Sequence, residues 1–266
     1  MKVDTLPVNS KTLRPAPPLR LLSLNMQVGL HSQAYHHYVT QAWKHVLPSR
    51  SVRPTLDRIA KLAADYDVVA LQEADAGSYR SGQINQVAYL AEKAGLEHWH
   101  AAVNRNLKPF AQHCLGCLSR WPMEVVRHHP LPGRVGGRGA LEVEISPQRC
   151  APFRLVIAHL ALGRGGRHLQ LAYLGKLVQD HPRMLVVGDF NCGPEEITNH
   201  AELYGSGLRR LHTVHTFPSW APNRAIDHVL ATDGLKVQRA YVLADCVSDH
   251  LPVVTEIACS AGTPTP

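Results

Sequence analysis

The sequence lacks the features of a membrane-spanning or secreted protein. No apolar run approaches the roughly 20 residues of a membrane span. The start of the chain does not have the basic-then-apolar order of a secretory signal. Aromatic residues make up 6% of the chain and are not interleaved with basic residues as in single-strand nucleic-acid binders. We therefore expect a cytoplasmic protein without a membrane span.

Several motifs of known chemistry are also missing. The chain has no GxSxG, no P-loop GxxxxGKS/T and no GxGxxG that opens a helix after a strand. The segment Gly163-Arg-Gly-Gly-Arg167 is rich in glycine and arginine but lacks the P-loop lysine. We interpret it as a loop whose arginines either contact an anionic substrate or are ordinary surface charge.

Cysteine is scarce, with six residues in a chain that carries no secretory signal. This favours free thiols over a disulfide framework. Cys114 and Cys117 form a CxxC pair, but no second ligand pair follows at zinc-finger spacing. We interpret them as two small half-buried residues, with a redox or zinc role as the alternative.

The composition is that of an ordinary globular protein. The 266 residues suffice for one large domain or two small ones, and 45% of them are hydrophobic and 18% charged. The net charge of +7 favours anionic partners. Because no run of five or six basic residues occurs, the charge does not choose among nucleic acid, phosphorylated metabolites and lipid head groups.

Hydrophobic patterning predicts one domain over residues 19–258, between a flexible proline-rich leader at residues 1–18 and a loose tail at residues 259–266. Strand-like runs lie at residues 21–24, 68–71, 141–145, 155–158, 184–187, 226–230 and 253–257. Helical spacing is found at residues 56–64, 83–94 and 169–178, and loop signals at residues 131–139 and 163–166. The alternation predicts an α/β domain with sheets inside and helices outside.

Polar side chains follow the strand-like runs where they end. The run at residues 184–187 leads through Gly188 to Asp189 and Asn191, which we expect to face one site because alternate residues of an extended segment point the same way. Other runs end in or contain polar residues, namely Asn25, Glu73, His159, Asp227, His228, Asp249 and His250. Each alone has an ordinary explanation, such as a strand cap for Asn25, and we expect His228 to pack behind the site.

Together these side chains predict a site that binds a metal ion and transfers protons. A lone buried carboxylate is costly unless it is paired or bound to a cation. Oxygen donors such as Asn25, Glu73 and Asp189 suit Mg²⁺ or Mn²⁺. Histidines move protons near neutral pH, and an acid such as Asp227 or Asp249 fixes the tautomer of an imidazole.

The set and order of these motifs resemble the endonuclease/exonuclease/phosphatase superfamily, with its deoxyribonuclease-I-like fold, and specifically a bacterial-type single-domain member. The motifs are Leu24-Asn25, Leu71-Gln-Glu73, Leu118-Ser-Arg120 at a strand start, His159-Leu160, Gly188-Asp-Phe-Asn191, Ile226-Asp-His228 and Ser248-Asp-His250. The resemblance implies a four-layered α/β sandwich, in which two packed mixed β-sheets are flanked by helices. One end of that sandwich would hold a metal ion and the scissile phosphate.

The resemblance also implies the metal ligands. Glu73 matches the principal metal ligand, and Asn25 lies close to the metal and the phosphate. Asp249 matches an additional carboxylate of the metal site. The implied cofactor is Mg²⁺ or Mn²⁺.

Five residues match the catalytic positions of the family. Asp189 would orient or deprotonate the attacking water, and Asn191 would hold a phosphoryl oxygen. His250 would contact the phosphate or act as acid or base, oriented by Asp227. His159 matches the imidazole of the phosphatase and phospholipase branches.

The expected function is a metal-dependent phosphoesterase in which an activated water attacks a phosphodiester or phosphomonoester in line. Its expected partner is an anionic substrate that is small or lipid-linked. A DNA or RNA endo- or exonuclease using the same site is the alternative, less favoured because Met26-Gln27 replaces the second acid of the nucleases. A binding protein without catalysis is a third hypothesis, against which the presence of Glu73, Asp189 and His250 weighs.

Overall fold

The computed structural model describes residues 17–29, 52–134, 136–148, 150–179 and 181–259. Most of the predicted leader and tail therefore lies outside the described residues. Five α-helices, two short 3₁₀ helices (Gln27–Gly29 and Tyr79–Ser81) and twelve strands lie within these ranges. The α-helices and strands are β1 (Leu19–Asn25), α1 (Val52–Ala63), β2 (Val68–Asp75), α2 (Gln86–Ala94), β3 (His98–Leu107), β4 (Ala111–Ser119), β5 (Met123–Pro130), β6 (Gly139–Ile145), β7 (Phe153–His159), α3 (Arg164–Val178), β8 (Met184–Asp189), α4 (Pro194–Thr198), α5 (Ala201–Gly205), β9 (Arg209–Arg210), β10 (Asp227–Ala231), β11 (Val237–Val242) and β12 (Val253–Ile257). None of the described helices is long and apolar enough to cross a membrane.

The strands form two six-stranded mixed sheets. Sheet 1 has the order β11-β12-β1-β2-β4-β3, and sheet 2 has the order β5-β6-β7-β8-β10-β9. The central pairs β1/β2 and β7/β8 are parallel, and the other neighbours are antiparallel. Helices α1 and α3 lie in the connections between these parallel strands, as parallel pairing requires.

Three hydrophobic clusters hold the layers together. One lies between the two sheets and includes Leu21 and Val187. The second joins sheet 1 to α1 and α2 through residues such as Leu56 and Leu90. The third packs α3 on sheet 2 and includes Phe190. The predicted four-layered sandwich of two packed mixed sheets flanked by helices is confirmed.

All seven predicted strands are present, but two details of the predicted elements are wrong. The glycine-rich segment 163–167 is not a loop, because α3 begins at Arg164 with Gly163 as its N-cap. Arg167 stabilises this first turn by pairing with Glu196 at 2.9 Å. Leu118 and Ser119 end β4 and do not begin a strand.

The cysteines differ from the expectation of free thiols. Cys150, just before β7, forms a disulfide with Cys259, just after β12, so the bond links elements of the two sheets across 109 residues of sequence. Cys114 and Cys117 are free and buried on β4, but they belong to different hydrophobic clusters on opposite faces of sheet 1. Burial raises the pKa of each of these two thiols to about 12. This arrangement does not suit a zinc or redox pair.

Candidate active site

A cavity of about 1010 Å³ opens where the carboxyl ends of β1, β2, β7 and β8 meet. Six of the eight predicted site residues line it, namely Glu73, His159, Asp189, Asn191, Asp249 and His250. The other two, Asn25 and Asp227, lie behind this surface and contact it through hydrogen bonds. Topology thus brings all eight predicted residues to one end of the sandwich.

Glu73 owes its position to an irregularity in β2. The register with β4 shifts between Leu71 and Ala74, and Glu73 adopts a positive φ of 55°. Such a bulge re-aims a side chain relative to the regular strand. The Glu73 side chain remains 32% exposed, so its carboxylate faces the cavity although its neighbours in β2 are buried.

The charge of Glu73 is favoured by its surroundings. Burial works to raise the pKa of this carboxyl group, but the nearby His159, His250 and Arg138 outweigh burial and hold the pKa below its ordinary value. A hydrogen bond from Asn25 acts in the same direction. An ionised carboxylate is the form that a metal ion binds.

Asp189 ends β8 and accepts hydrogen bonds from sheet 1 and from the turn that follows β8. Its Oδ2 accepts from Asn25 Nδ2 at 3.1 Å, and its Oδ1 accepts from the backbone N–H of Asn191 at 2.8 Å. Burial raises the pKa of Asp189 to about 7, against the lowering influence of His250. Its position between the sheets makes it the central acceptor of the site.

Asn191 reaches the cavity by a different backbone path from the one predicted. The strand ends at Asp189, and Asn191 has a positive φ of 53°, so the two side chains do not alternate along one extended segment. The side-chain amide of Asn191 donates to the carbonyl of Leu160 at 3.0 Å. Both residues still line the same cavity because the chain turns back toward it after Asp189.

His250 and Asp227 form a buried pair. The Nδ1 of His250 lies 2.8 Å from Asp227 Oδ2, and Thr216 donates its hydroxyl to the same carboxylate oxygen at 2.5 Å. Burial works to lower the pKa of His250, but Asp227 outweighs it and raises that pKa to about 10. The opposite ring nitrogen, Nε2, lies 4.0 Å from Asp189 Oδ2. A cationic imidazole therefore faces the central carboxylate.

His159 lies between the two cavity carboxylates. Its Nε2 is 3.5 Å from Asp189 Oδ2 and 3.7 Å from Glu73 Oε1. Burial lowers the pKa of His159 to about 3, so the imidazole is neutral near neutral pH. The guanidinium of Arg138 contacts the same Nε2. A neutral ring can accept a hydrogen bond from that arginine.

Arg138 is a site residue that the sequence did not reveal. It lies within the loop signals at residues 131–139, and nothing in its sequence surroundings separates it from other arginines. It lines the cavity only because the turn between β5 and β6 lies beside His159.

Two other candidates lie outside the cavity surface. Arg167, an arginine of the glycine-rich segment 163–167, is held by Glu196 and backbone carbonyls. His228 lies buried behind the site, against Phe190 and the carbonyl of Cys192, as predicted.

Two groups of side chains are candidates for holding a metal ion. Ligand atoms of Asp189, Asp227 and His250 lie within 4.8 Å of one another. However, the Asp227 carboxylate is already engaged with His250 and Thr216. The second group is Asn25, Glu73 and Asp249. The Oδ1 of Asn25 already accepts from the backbone N–H of Gln27 at 3.1 Å, and Asp249 is buried and has its pKa raised by burial.

Comparisons with known proteins agree with this fold. A model of the Endonuclease/Exonuclease/phosphatase family matches residues 22–250. An endonuclease/exonuclease/phosphatase from Beutenbergia cavernae is 21% identical with a TM-score of 0.73, covering 92% of this chain and 72% of that chain. The mannosyl-6-phosphatase of Bacteroides thetaiotaomicron is 15% identical with a TM-score of 0.64, covering 90% of this chain and 99% of its own.

A third similar structure is ANGEL2, a 2′,3′-cyclic phosphatase in complex with adenosine-2′,3′-vanadate. It is 16% identical with a TM-score of 0.61, and the match covers 90% of this chain and 95% of that one. At these identities the three structures establish a shared fold. No curated protein sequence matches this chain.

Proposed function

The chain belongs to the endonuclease/exonuclease/phosphatase family, and on that premise we propose that it is a divalent-metal-dependent phosphoesterase. In this proposal an activated water attacks the phosphorus of a phosphodiester or phosphomonoester in line with the leaving oxygen. The observation that carries it is the convergence of Glu73, His159, Asp189 and His250 on one cavity. No covalent nucleophile is required, since positioning and proton transfer suffice for such attack.

The donor set supports a hard metal ion. Asn25, Glu73 and Asp249 offer oxygen atoms, which Mg²⁺ and Mn²⁺ prefer. Gln27 lines the same cavity, and its Oε1 is a buried acceptor without a hydrogen-bond partner among the described residues. We propose that Glu73, Asn25 and Asp249 hold the ion. A bound Mg²⁺ or Mn²⁺ would offset the negative charge that develops on the phosphoryl oxygens.

Asp189 is the proposed proton acceptor for the attacking water. Asn25 Nδ2 and the backbone N–H of Asn191 hold its carboxylate in place. Because two donors fix its orientation, the carboxylate can accept a proton without rearranging. The remaining donor capacity of the Asn191 amide can serve a phosphoryl oxygen.

The two histidines have different proposed roles. His250, kept cationic by Asp227, stabilises a phosphoryl oxygen or gives a proton to the leaving oxygen. His159 is neutral and accepts a hydrogen bond from Arg138, so it orients that arginine toward the phosphate. Asp227 acts through His250 and does not contact the substrate.

We propose a small or lipid-linked phosphoester as the substrate. Two proteins of similar fold are a mannosyl-6-phosphatase and a 2′,3′-cyclic phosphatase, which gives support from analogy of fold. A DNA or RNA nuclease using the same site is the second candidate, since the net charge of +7 suits any anionic substrate, nucleic acid included.

The test is a substrate panel with purified protein. Bis-p-nitrophenyl phosphate, phosphomonoesters, phospholipids, RNA, plasmid DNA and an abasic oligonucleotide are each offered with Mg²⁺, with Mn²⁺ and with excess EDTA. We expect hydrolysis only with metal, and a loss of about 10³-fold in kcat for Asp189→Asn and for His250→Ala.

His215→Ala is the matched control, because His215 is exposed and lies outside the cavity lining. It should keep full activity. The unfolding curve of His215→Ala should be unchanged. Those of Asp189→Asn and His250→Ala should shift only as far as expected of a buried substitution. Full hydrolysis in EDTA, or in both Asp189→Asn and His250→Ala, would contradict the mechanism.

A further inference from the structure

The cavity is larger than the catalytic residues require. Its volume of about 1010 Å³ lies at the upper end of small-molecule pockets and far exceeds one phosphate group. One wall continues away from Asp189 to the β3–β4 hairpin and the short 3₁₀ helix Tyr79–Ser81. Backbone N–H groups of Tyr79 and Arg80 donate to the carbonyls of Pro109 and Phe110, so the hairpin tip and this helix form one surface. We call this surface the hairpin wall.

The hairpin wall carries two exposed cations. Arg105 and Lys108 line the cavity, and neither has an ion-pair partner in the part of the chain that the structure describes. The Arg105 stem packs over Gly137, where an added Cβ would lie 2.8 Å from the arginine Cδ. This close approach holds the stem against the loop that also carries Arg138.

Arg80 lies at the base of the same wall and is held by two partners. Its Nε is 2.6 Å from Asp75 Oδ2, and its Nη1 is 3.3 Å from His113 Nε2. Burial lowers the pKa of His113 to about 4, so this ring is a neutral acceptor for the arginine. The third nitrogen, Nη2, is buried and has no partner among the described residues, although Arg80 lines the cavity.

We propose that the hairpin wall is a second anion subsite, which binds a phosphate group of the substrate other than the scissile one. Arg105 and Lys108 supply two uncompensated positive charges, and Arg80, whose charge Asp75 balances, supplies a fixed donor at their base. Arginine and lysine side chains grouped in this way recognise phosphate. The inference rests on the proposed function for the identity of the first phosphate.

A second phosphate has two sources that share this chemistry. It is either a terminal phosphate on a small substrate or the next phosphate of a nucleic-acid strand. The terminal group carries close to two negative charges near neutral pH, and the internal phosphodiester carries one. The affinities of matched ligands therefore separate the two sources.

Calorimetric binding tests the subsite without turnover. Thymidine 5′-monophosphate, thymidine 3′,5′-bisphosphate and a short oligothymidylate are titrated with Mg²⁺ into Asp189→Asn protein, which should not hydrolyse them. We expect the bisphosphate to bind about tenfold more tightly than the monophosphate. This ratio should fall to within about twofold when Arg105→Gln and Lys108→Gln are added.

The control is Asp189→Asn protein with Lys61→Gln and Lys176→Gln, two exposed lysines on outer helices that give the same change in charge. It should keep the tenfold ratio. If the bisphosphate and the monophosphate bind equally, or if the control loses the ratio equally, the subsite does not exist. Tighter binding of the bisphosphate than of the oligothymidylate supports the small-molecule source, and the reverse order supports the strand.

The readout also separates this inference from the proposed function. A protein that hydrolyses none of the panel substrates can still bind the bisphosphate more tightly than the monophosphate. Conversely, if the protein hydrolyses phosphoesters but binds the bisphosphate and the monophosphate with equal affinity, the proposed mechanism stands and the subsite is contradicted.

Discussion

The two sheets have the same central architecture but bring different chemistry to the cavity. Each has a parallel strand pair joined through a helix, β1/β2 in sheet 1 and β7/β8 in sheet 2. The last paired residues are Asn25 with Gln72 in sheet 1, and His159 with Asp189 in sheet 2. Sheet 1 thus ends in neutral amides followed by Glu73, whereas sheet 2 ends in an imidazole and a buried acid.

The backbones that present these groups differ as well. Sheet 1 uses the bulge at Glu73, which turns a carboxylate toward the cavity and leaves it partly exposed. Sheet 2 uses Gly188, whose φ of 138° and contact with β7 bring Asp189 close to the neighbouring strand while keeping it buried. An exposed acid is suited to holding a hydrated cation, and a buried one to accepting a proton. The comparison predicts that sheet 1 holds the metal ion through Glu73 and that sheet 2 accepts the proton through Asp189.

The largest expected effect separates metal binding from proton transfer. Glu73→Gln should raise the metal concentration for half-maximal activity at least about tenfold, with partial recovery at high Mg²⁺ or Mn²⁺. Asp189→Asn should lower kcat about 10³-fold at every metal concentration, because added metal cannot replace a proton acceptor. Activity is measured across a metal titration, with metal affinity measured directly by calorimetry.

Equal shifts of the metal midpoint in the two variants would contradict this division. That outcome would instead favour a metal ion held by Asp189, Asp227 and His250. Glu195→Gln serves as a charge-matched control, since Glu195 lies in α4 outside the cavity lining. It should leave both the metal midpoint and kcat unchanged.

A smaller effect, on stability, is expected from the backbone of sheet 2. An added Cβ at Gly188 would lie 2.0 Å from the backbone oxygen of Ala158, so either β7 or β8 must shift. Gly188→Ala should lower the free energy of unfolding by about 3 kcal/mol or more. Gly163→Ala is the control, because Gly163 has an ordinary negative φ and nothing within 4 Å of its added Cβ. Equal unfolding midpoints in urea for Gly188→Ala and the unsubstituted protein would show that the strands relax around the added Cβ without a loss of stability.

The sequence predicted the interior strands of both sheets except β4, and none of the edge strands. Strands such as Met184–Asp189 are buried on both faces and therefore appear as continuous apolar runs. The edge strands β3, β5 and β11 are largely exposed or half-buried, and it is backbone pairing that holds them in the sheets. Their sequences carry no continuous apolar run that would mark a strand.

The site was predicted residue by residue where a strand end marked it. Glu73 and Asp189 each stand one residue beyond an apolar run, which marked them as candidates, whereas their meeting from two different sheets was implied by the family resemblance. Arg138 and the Cys150–Cys259 disulfide were not predicted, because each depends on a contact between segments distant in sequence. A hydrophobic pattern reports burial along one segment and does not say which segments meet.

Buried histidines that are neutral in the folded state should make the protein sensitive to acid. Burial lowers the pKa of His212 and His228 on the side of sheet 2, and of His113 in sheet 1. Burial lowers the pKa of His212 from 6.5 to about 4, so this ring is neutral in the folded protein. The unfolded chain takes up a proton first as the pH falls, and the folded state loses stability between these two values.

The smallest expected effect follows from that titration. Between about pH 7.5 and pH 5, the protonation of His212 in the unfolded chain should lower the free energy of unfolding by about 2 kcal/mol. His212→Gln should reduce the pH dependence of unfolding by this amount, measured in urea at both pH values. His215→Gln, at an exposed position three residues away, should leave the slope as it is. If His212→Gln leaves the slope unchanged too, then the acid sensitivity of the molecule does not arise from this buried ring.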